Sequence, residues 1–542
     1  MIPVQLDEIR QIEVVEGPNS ELFEFNAASG VINNITYDAL FDQVNTATMR
    51  FGSQALLQGS AVATAHIGDN VGVRMSVGGL EQHEFEGDVS PSVVLPPLHN
   101  PALAVFNIDS KVRVAPGMEV TLEASSATSQ LDEVGLNTLE LYDTYRTNSF
   151  KAGVMADTAW GTIAVNAYRN REGVDANVLG VSTSLSNTVY VLQASDTLNL
   201  NADHTIRMSL EYRNNTLNSP ALIGGGVGYA VYSASGRWDW QITPALSFTN
   251  SVRIDYLALD HSGMLLAGTG FTNTDYDNTT IAQPSFNSGL VYKVTDQDTV
   301  RLTAGRGLQV PSLIDFALQE PGTAVSPVAF VGSPTLQPTA VWNLELGYDR
   351  GIQAIMSTVR TSVFIQRNDN IITSGLSTLP RVLPSGLLAS VAQNTGYSDA
   401  VGGELGLKGQ SAAGFRWNAS YTFELISDHT TLNQVALTSP QNYQDGTPTS
   451  VVILGGGYTR DKLELDAQGR WQSRFTDYDY TVRGLAPVYV KDYLTLMARV
   501  GYNLTDHVTV ALVGQQLNVS RLIESAGPPV ERSVIGSVTV HF

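Results

Sequence analysis

Residues 248–258 read Phe-Thr-Asn-Ser-Val-Arg-Ile-Asp-Tyr-Leu-Ala. In an extended chain Phe248, Asn250, Val252, Ile254, Tyr256 and Ala258 share one face, and Thr249, Ser251, Arg253, Asp255 and Leu257 share the other. A period of two marks a strand whose faces meet different surroundings. Asn250 and Leu257 are each out of character for their face. The alternation recurs in 206–213, where Ile206, Met208, Leu210 and Tyr212 oppose Arg207, Ser209, Glu211 and Arg213. It recurs again with Phe415, Trp417, Ala419, Tyr421 and Phe423, and with Leu463, Leu465, Ala467, Gly469 and Trp471. Runs of about nine or ten residues match a tilted strand crossing a bilayer and exceed the five or six typical of soluble strands.

Composition points the same way. Charged residues are 15% of the 542-residue chain, against about 25% in soluble proteins, and no apolar run reaches the roughly 18 residues of a helical span. Gly (48), Tyr (21) and small polar residues are plentiful, a mixture that favours strands and turns. Soluble sandwiches would require about five domains with linkers between them, and no linker composition occurs. The expected fold is all-β: a transmembrane antiparallel β-barrel, with room for about 22 strands.

The connections alternate in length. Tight turns are expected at Asn201–His204, Ile242–Pro244, Thr295–Asp298, Arg460–Lys462 and Thr505–His507, and extended loops at 305–340, 368–396, 426–450 and 472–488. Aromatic residues near strand ends, among them Tyr212, Tyr229, Tyr232, Trp238, Trp240, Tyr256, Trp471, Tyr493 and Tyr502, suit girdles at the membrane interfaces. Val534, Gly536, Val538, Val540 and Phe542 share one face of a final strand, which must pair with the first because a bilayer offers no partner to an open edge. The polar faces carry both signs of charge: Arg207, Glu211, Arg213, Arg253, Asp255, Arg301, Glu345, Arg416, Glu424, Glu464, Asp466, Arg470 and Arg499. Interspersed charges of this kind form cross-strand pairs in a wet lumen.

Several function classes are disfavoured. A net charge of −21 is unsuited to nucleic acid, whose phosphates call for clustered Lys and Arg. With no cysteine there is no disulfide, thiolate catalysis or Cys-ligated metal. His66, His83, His99, His204, His261, His429, His507 and His541 are scattered without metal-ligand spacing. The Gly224–Gly228 run resembles a phosphate loop but lacks the Lys and the following helix. No enzymatic activity, catalytic residue, metal site or cofactor is expected, and no substrate-binding residue is assigned. Tyr443, Phe475, Tyr478 and Tyr480 are read as rim packing ahead of ligand contact.

The first 47 residues break the barrel pattern. Asp7–Tyr37 resembles the carboxy-terminal part of the plug domain of the TonB-dependent receptors, through Ile12, Glu13, Val14, Gly17, Pro18, Asn26, Ala27, Gly30, Val31, Ile32, Asn33 and Thr36. A second resemblance to that family is carried by Arg306, Pro311, Ser312, Gly332, Pro334, Leu336, Pro338, Glu345, Gly347 and Tyr348. Departures are Glu16 for the usual Arg before Gly-Pro, Phe23 with Glu24 for Tyr-Gly, and Ser333 and Ala340 for Asn and Glu.

The resemblance implies a truncated plug remnant at 1–46 and a barrel at 47–542. It further implies a receptor and transporter in the outer membrane of a Gram-negative bacterium, a monomer set in outer-membrane lipid. A TonB-type energy-coupling protein would engage it through a missing N-terminal segment. The implied cargo is a scarce small-molecule ligand, a ferric siderophore first, with cobalamin or a glycan behind it. The alternative is a passive outer-membrane channel, because most of the plug and the TonB box are absent from this sequence.

Overall fold

A computed structural model of the protein describes residues 4–18, 26–85, 99–134, 140–178, 181–322, 327–375, 378–430, 442–481 and 484–542. The alternating runs pair into one closed antiparallel barrel of 22 strands. Closure joins the ends of the barrel: Asn45–Gly52 pairs with Ser533–His541, with Thr46 opposite His541 and Gly52 opposite Ile535. Every strand therefore has two neighbours, which is what a backbone surrounded by hydrocarbon requires.

The tight turns fall where the sequence places them. Asn199 and His204, Thr243 and Leu246, Lys293 and Asp298, Arg460 and Leu463, and Asn503 and Val508 bound consecutive strands at one end of the barrel. Strand lengths differ from expectation. The seven strands between Met118 and Gly263 run 16 to 19 residues. The reason is physical: alternation is legible only where one face meets lipid, and these strands continue past that zone as a paired wall. For the same reason Phe415–Thr430 carries on into the expected 426–450 loop, and Asp298–Gln309 into the expected 305–340 loop. The expected 472–488 loop holds its own hairpin, Phe475–Thr481 against Gly484–Val490.

The two faces are as different as the pattern requires. Val252 and Ile254 are 54% and 61% exposed, while Ser251 and Arg253, which alternate with them, are each 2% exposed. Both out-of-character residues have local reasons. Asn250 on the outer face donates its amide to Ser288 Oγ at 2.6 Å. Leu257 on the inner face joins Val231, Tyr276, Phe316 and Leu336 in the main apolar cluster, where the long-loop end folds back against the wall. Tyr229 is a correction: it belongs to that cluster, buried, and not to an outer girdle. The girdle reading suits others, with Tyr212 and Tyr232 rings 5.3 Å apart and Trp238 stacked on Trp240 at 5.3 Å.

The loop cap is built from short, well-terminated pieces. Pro311 and Ser312 start the helix Leu313–Ala317, where Ser312 Oγ accepts from the Asp315 amide at 3.0 Å and the Asp315 carboxylate accepts from the Ser312 amide at 3.0 Å. This is a reciprocal N-terminal cap. Ala329–Val331 then pairs in parallel with Leu388–Val391 of the next loop, locking two loops together.

The face assignment predicts unequal effects of one added charge. Ile254→Arg is expected to destabilise folding into lipid bilayers by about 2 to 4 kcal/mol, and Gln468→Arg, which reaches open lumenal space, by under about 1 kcal/mol. Denaturant titration in vesicles measures both, and equal losses would contradict the assignment.

Candidate ligand-binding vestibule

A segment of chain crosses the barrel interior before the first barrel strand begins. Ile9–Glu16 pairs antiparallel with Gly30–Thr36, Val14 lying opposite Ile32. Its anchors are charges and amides of the inner wall. Glu8, 1% exposed, accepts from Ser76 Oγ and Asn107 Nδ2, each at 2.6 Å, and its carboxylate lies 3.8 Å from the Arg74 guanidinium. Arg74 also donates to the Tyr37 carbonyl and to Asp109. Asp7 takes two hydrogen bonds from Arg50, at 2.7 and 3.1 Å, and one from Ser60. Asp38 is held by Lys111 at 2.7 Å. A buried charge is tolerable only when paired and hydrogen-bonded, and this group meets that condition.

On another part of the wall the same segment is held by amides. Asn287 Nδ2 donates to the Pro18 carbonyl, and the Val310 amide to Asn26 Oδ1, each at 2.7 Å. Two wall glycines make room for these seats. A Cβ on Gly72 would collide with the Ala39 carbonyl, and one on Gly307 would stand 2.9 Å from Ala28 Cα and 3.0 Å from Pro18 Cβ.

Above the second anchor opens a cavity of about 700 Å³. Its walls come from three sources: Asn26 and Ser29 of the crossing segment, the inner faces of barrel strands, and the folded loops through Pro311, Ile371 and Tyr443. Six carboxamides line it: Asn26, Asn187, Asn215, Gln309, Gln366 and Asn368. They are partly linked. Asn187 Nδ2 donates to Asn215 Oδ1 at 2.8 Å, Asn215 Nδ2 to the Tyr229 hydroxyl at 3.0 Å, and Gln366 Nε2 to Asn368 Oδ1 at 3.2 Å. Leu185, Leu217, Val310 and Val341 supply apolar wall between them. A concave, mostly preformed site with convergent polar groups is the usual form of a small-molecule pocket.

The sequence reading and the structure meet unevenly here. Tyr443 lines the cavity instead of serving only as rim, and burial together with the Asp428 charge raises its hydroxyl above the ordinary tyrosine range. Phe475 and Tyr478 stand in the neighbouring hairpin, Tyr478 accepting from Asn442 at 3.3 Å; the Tyr480 side chain, like Phe23 and Glu24, lies outside the described residues. Arg306, one of the residues that carry the family resemblance, packs over the outward-facing Trp342, 5.2 Å from the ring centroid. The lumenal charges do pair across strands, as Arg253 with Glu211 at 3.2 Å and Arg499 with Glu464 at 2.8 Å. Among the described residues no group of three or more His, Cys, Asp or Glu could hold a metal ion. Asn26 was named in the sequence only as part of the plug-like stretch; Asn187, Asn215, Gln309, Gln366 and Asn368 were not singled out, and the signal was uncharged amides on inward-facing strand positions.

A closed barrel of this size, apolar outside and crossed by folded chain within, is the architecture of the large plugged transport barrels. The chain belongs to the TonB-dependent receptors: the model of the family described as TonB dependent receptor-like, beta-barrel matches residues 113–516. Solved structures share the fold at low identity. The FrpB iron transporter from Neisseria meningitidis (F3-3 variant) superposes with a TM-score of 0.79 at 13% identity, over 99% of this chain and 88% of that one. The ferric-catecholate import receptor Fiu from E. coli K12, in its closed form, gives 0.74 at 15%, over 99% and 87%. The copper transporter OprC gives 0.77 at 13%, over 98% and 85%. No curated protein matches the sequence.

The anchors predict an acid response. Burial raises the Asp7 carboxyl, but hydrogen bonds from Arg50 and Ser60 and the Arg50 charge outweigh it and hold the group below its ordinary range. Burial likewise raises Asp38, and Lys111 with the Leu40 amide outweighs it. Unfolded aspartate titrates near about 3.9, so both groups stabilise the anchored state fully above that pH and lose their contribution as pH falls through the depressed folded values. Protection factors of the Ile9–Glu16 amides, corrected for the intrinsic pH dependence of exchange, should therefore fall below about pH 4 while those of the barrel strands do not; unchanged protection factors would contradict the anchoring.

Proposed function

We propose that the protein is an outer-membrane active transporter of a Gram-negative bacterium, which captures a scarce small molecule in the vestibule and passes it through the barrel when the crossing segment moves. What supports this reading is one observation: the vestibule floor is the crossing segment itself, through Asn26 and Ser29. A ligand seated there touches the wall, the loops and the element that must move, so binding and gating share residues. Residues 1–46 are taken as the carboxy-terminal part of a plug, with 47–542 as the barrel. The energy-coupling partner is of the TonB type and engages a segment upstream of residue 1, and the protein works as a monomer in outer-membrane lipid. A ferric siderophore is the first ligand class to test, with cobalamin and glycans after it.

Transport of this kind requires energy from outside the protein. In cells expressing the full-length gene product, ligand accumulation is expected to collapse when the coupling protein is deleted, with surface binding retained. Accumulation that persists without the coupler, together with a large steady conductance in planar bilayers, would replace this reading with a passive channel.

A further inference from the structure

Among the described residues the vestibule lining contains no Lys, Arg or His. The one carboxylate among its described lining residues, Asp315, is already committed, accepting from the Ser312 amide at 3.0 Å and the Ser312 hydroxyl at 2.7 Å. Nor do the remaining segments hold a reserve of positive charge: outside the described residues, Arg483 is the only basic residue in the sequence. Asp428, next to Tyr443, adds negative charge near the opening, and the chain as a whole carries −21. The cation beside the lining, Arg213 near Tyr229, is already paired with Glu211 at 3.1 Å, so an anion entering this space would leave water for a site with no uncommitted lining cation to replace the lost solvation, a transfer that is unfavourable. Anion sites elsewhere in proteins rely on Arg and Lys for this reason.

What the lining offers instead is a mixed set of donors and acceptors. Each carboxamide has a carbonyl oxygen that accepts and an NH2 that donates twice. The internal links use only part of that capacity. The Asn187 and Gln366 side-chain oxygens and the Asn368 NH2 have no partner among the described residues. Gln366 and Asn368 sit two apart on the inner face of Ser357–Asp369, and Asn187 and Asn215 lie diagonally across paired strands, Asn187 opposite Leu217 and Asn215 opposite Val189. Leu185, Leu217, Val310 and Val341 line the same cavity as these amides.

We propose that the ligand is uncharged and is recognised through hydroxyl, carbonyl or amide groups set on a compact, partly apolar body. This rests on the transport reading for the ligand's route, and on the lining alone for its chemistry. Two sources share that chemistry, a neutral ferric trihydroxamate and an oligosaccharide. Polyanionic ferric catecholates are excluded by the same lining.

The test uses the full chain in detergent, titrated calorimetrically with a neutral ferric trihydroxamate, with maltohexaose and with a polyanionic ferric tris-catecholate. At least one neutral probe is expected to bind about tenfold or more tighter than the polyanion, with little dependence on salt. Preference for the trihydroxamate identifies an iron cargo, and preference for maltohexaose a glycan cargo. Asn187→Leu with Gln366→Leu should weaken the neutral probe about tenfold, while Gln366→Arg should raise affinity for the polyanion. Tighter binding of the polyanion by the unmodified chain, or no binding of either neutral probe, overturns the proposal. Radiolabelled uptake of the same probes with and without the coupling protein separates the two claims: coupler-dependent uptake of the polyanion leaves transport standing and removes the ligand class, and coupler-independent uptake of a neutral probe does the reverse.

Discussion

The fold depends on the demand that every backbone N–H and C=O inside hydrocarbon be paired within the protein. A sheet meets it only by closing on itself. Here the closing seam is the pairing of Asn45–Gly52 with Ser533–His541. Once closed, the cylinder has an oil-facing and a water-facing surface, and each strand must divide its side chains between them with a period of two. Ile254 and Arg253 are adjacent in sequence and on opposite sides of that wall.

The closed wall also frees the interior from the task of making a core. Soluble domains bury apolar faces at their centre; this chain exposes them to lipid and fills the lumen with paired charge and amide. The apolar cluster that does exist is displaced to the long-loop end, where Tyr276 donates its hydroxyl to the Phe316 carbonyl at 3.1 Å and Leu257 turns inward to meet it. That cluster fixes the loops over the lumen, and the loops roof the vestibule. The Glu8–Arg74–Asp109 group anchors the floor segment from a different part of the wall. The crossing segment is thus held by two chemically different attachments, ionic at Glu8 and amide at Pro18 and Asn26.

How much of this was legible follows from the same physics. Alternation in 248–258, turn positions such as Arg460–Lys462 and the terminal strand could all be read from sequence, because lipid on one face leaves a sharp periodic trace. The upper ends of the long strands could not: Val181–Asn199 runs on beyond the alternating zone, Leu185 packs inward against the apolar loop cluster, and the period-two trace fades. Tyr229 was misplaced because an aromatic residue near a strand end looks alike whether it faces headgroups or a loop core. The carboxamide lining was invisible for a different reason. Asn26, Asn187 and Gln366 are far apart in sequence and neutral, and only closure of the barrel brings them to one cavity.

The most direct measurement is lipid accessibility along one strand. The chain has no cysteine, so single-cysteine spin labels at successive positions from 251 to 256 report cleanly. The account predicts that labels at Val252, Ile254 and Tyr256 are relaxed by oxygen dissolved in the bilayer and that those at Ser251, Arg253 and Asp255 are not. Equal relaxation at neighbouring positions, or a period near that of a helix, would contradict it.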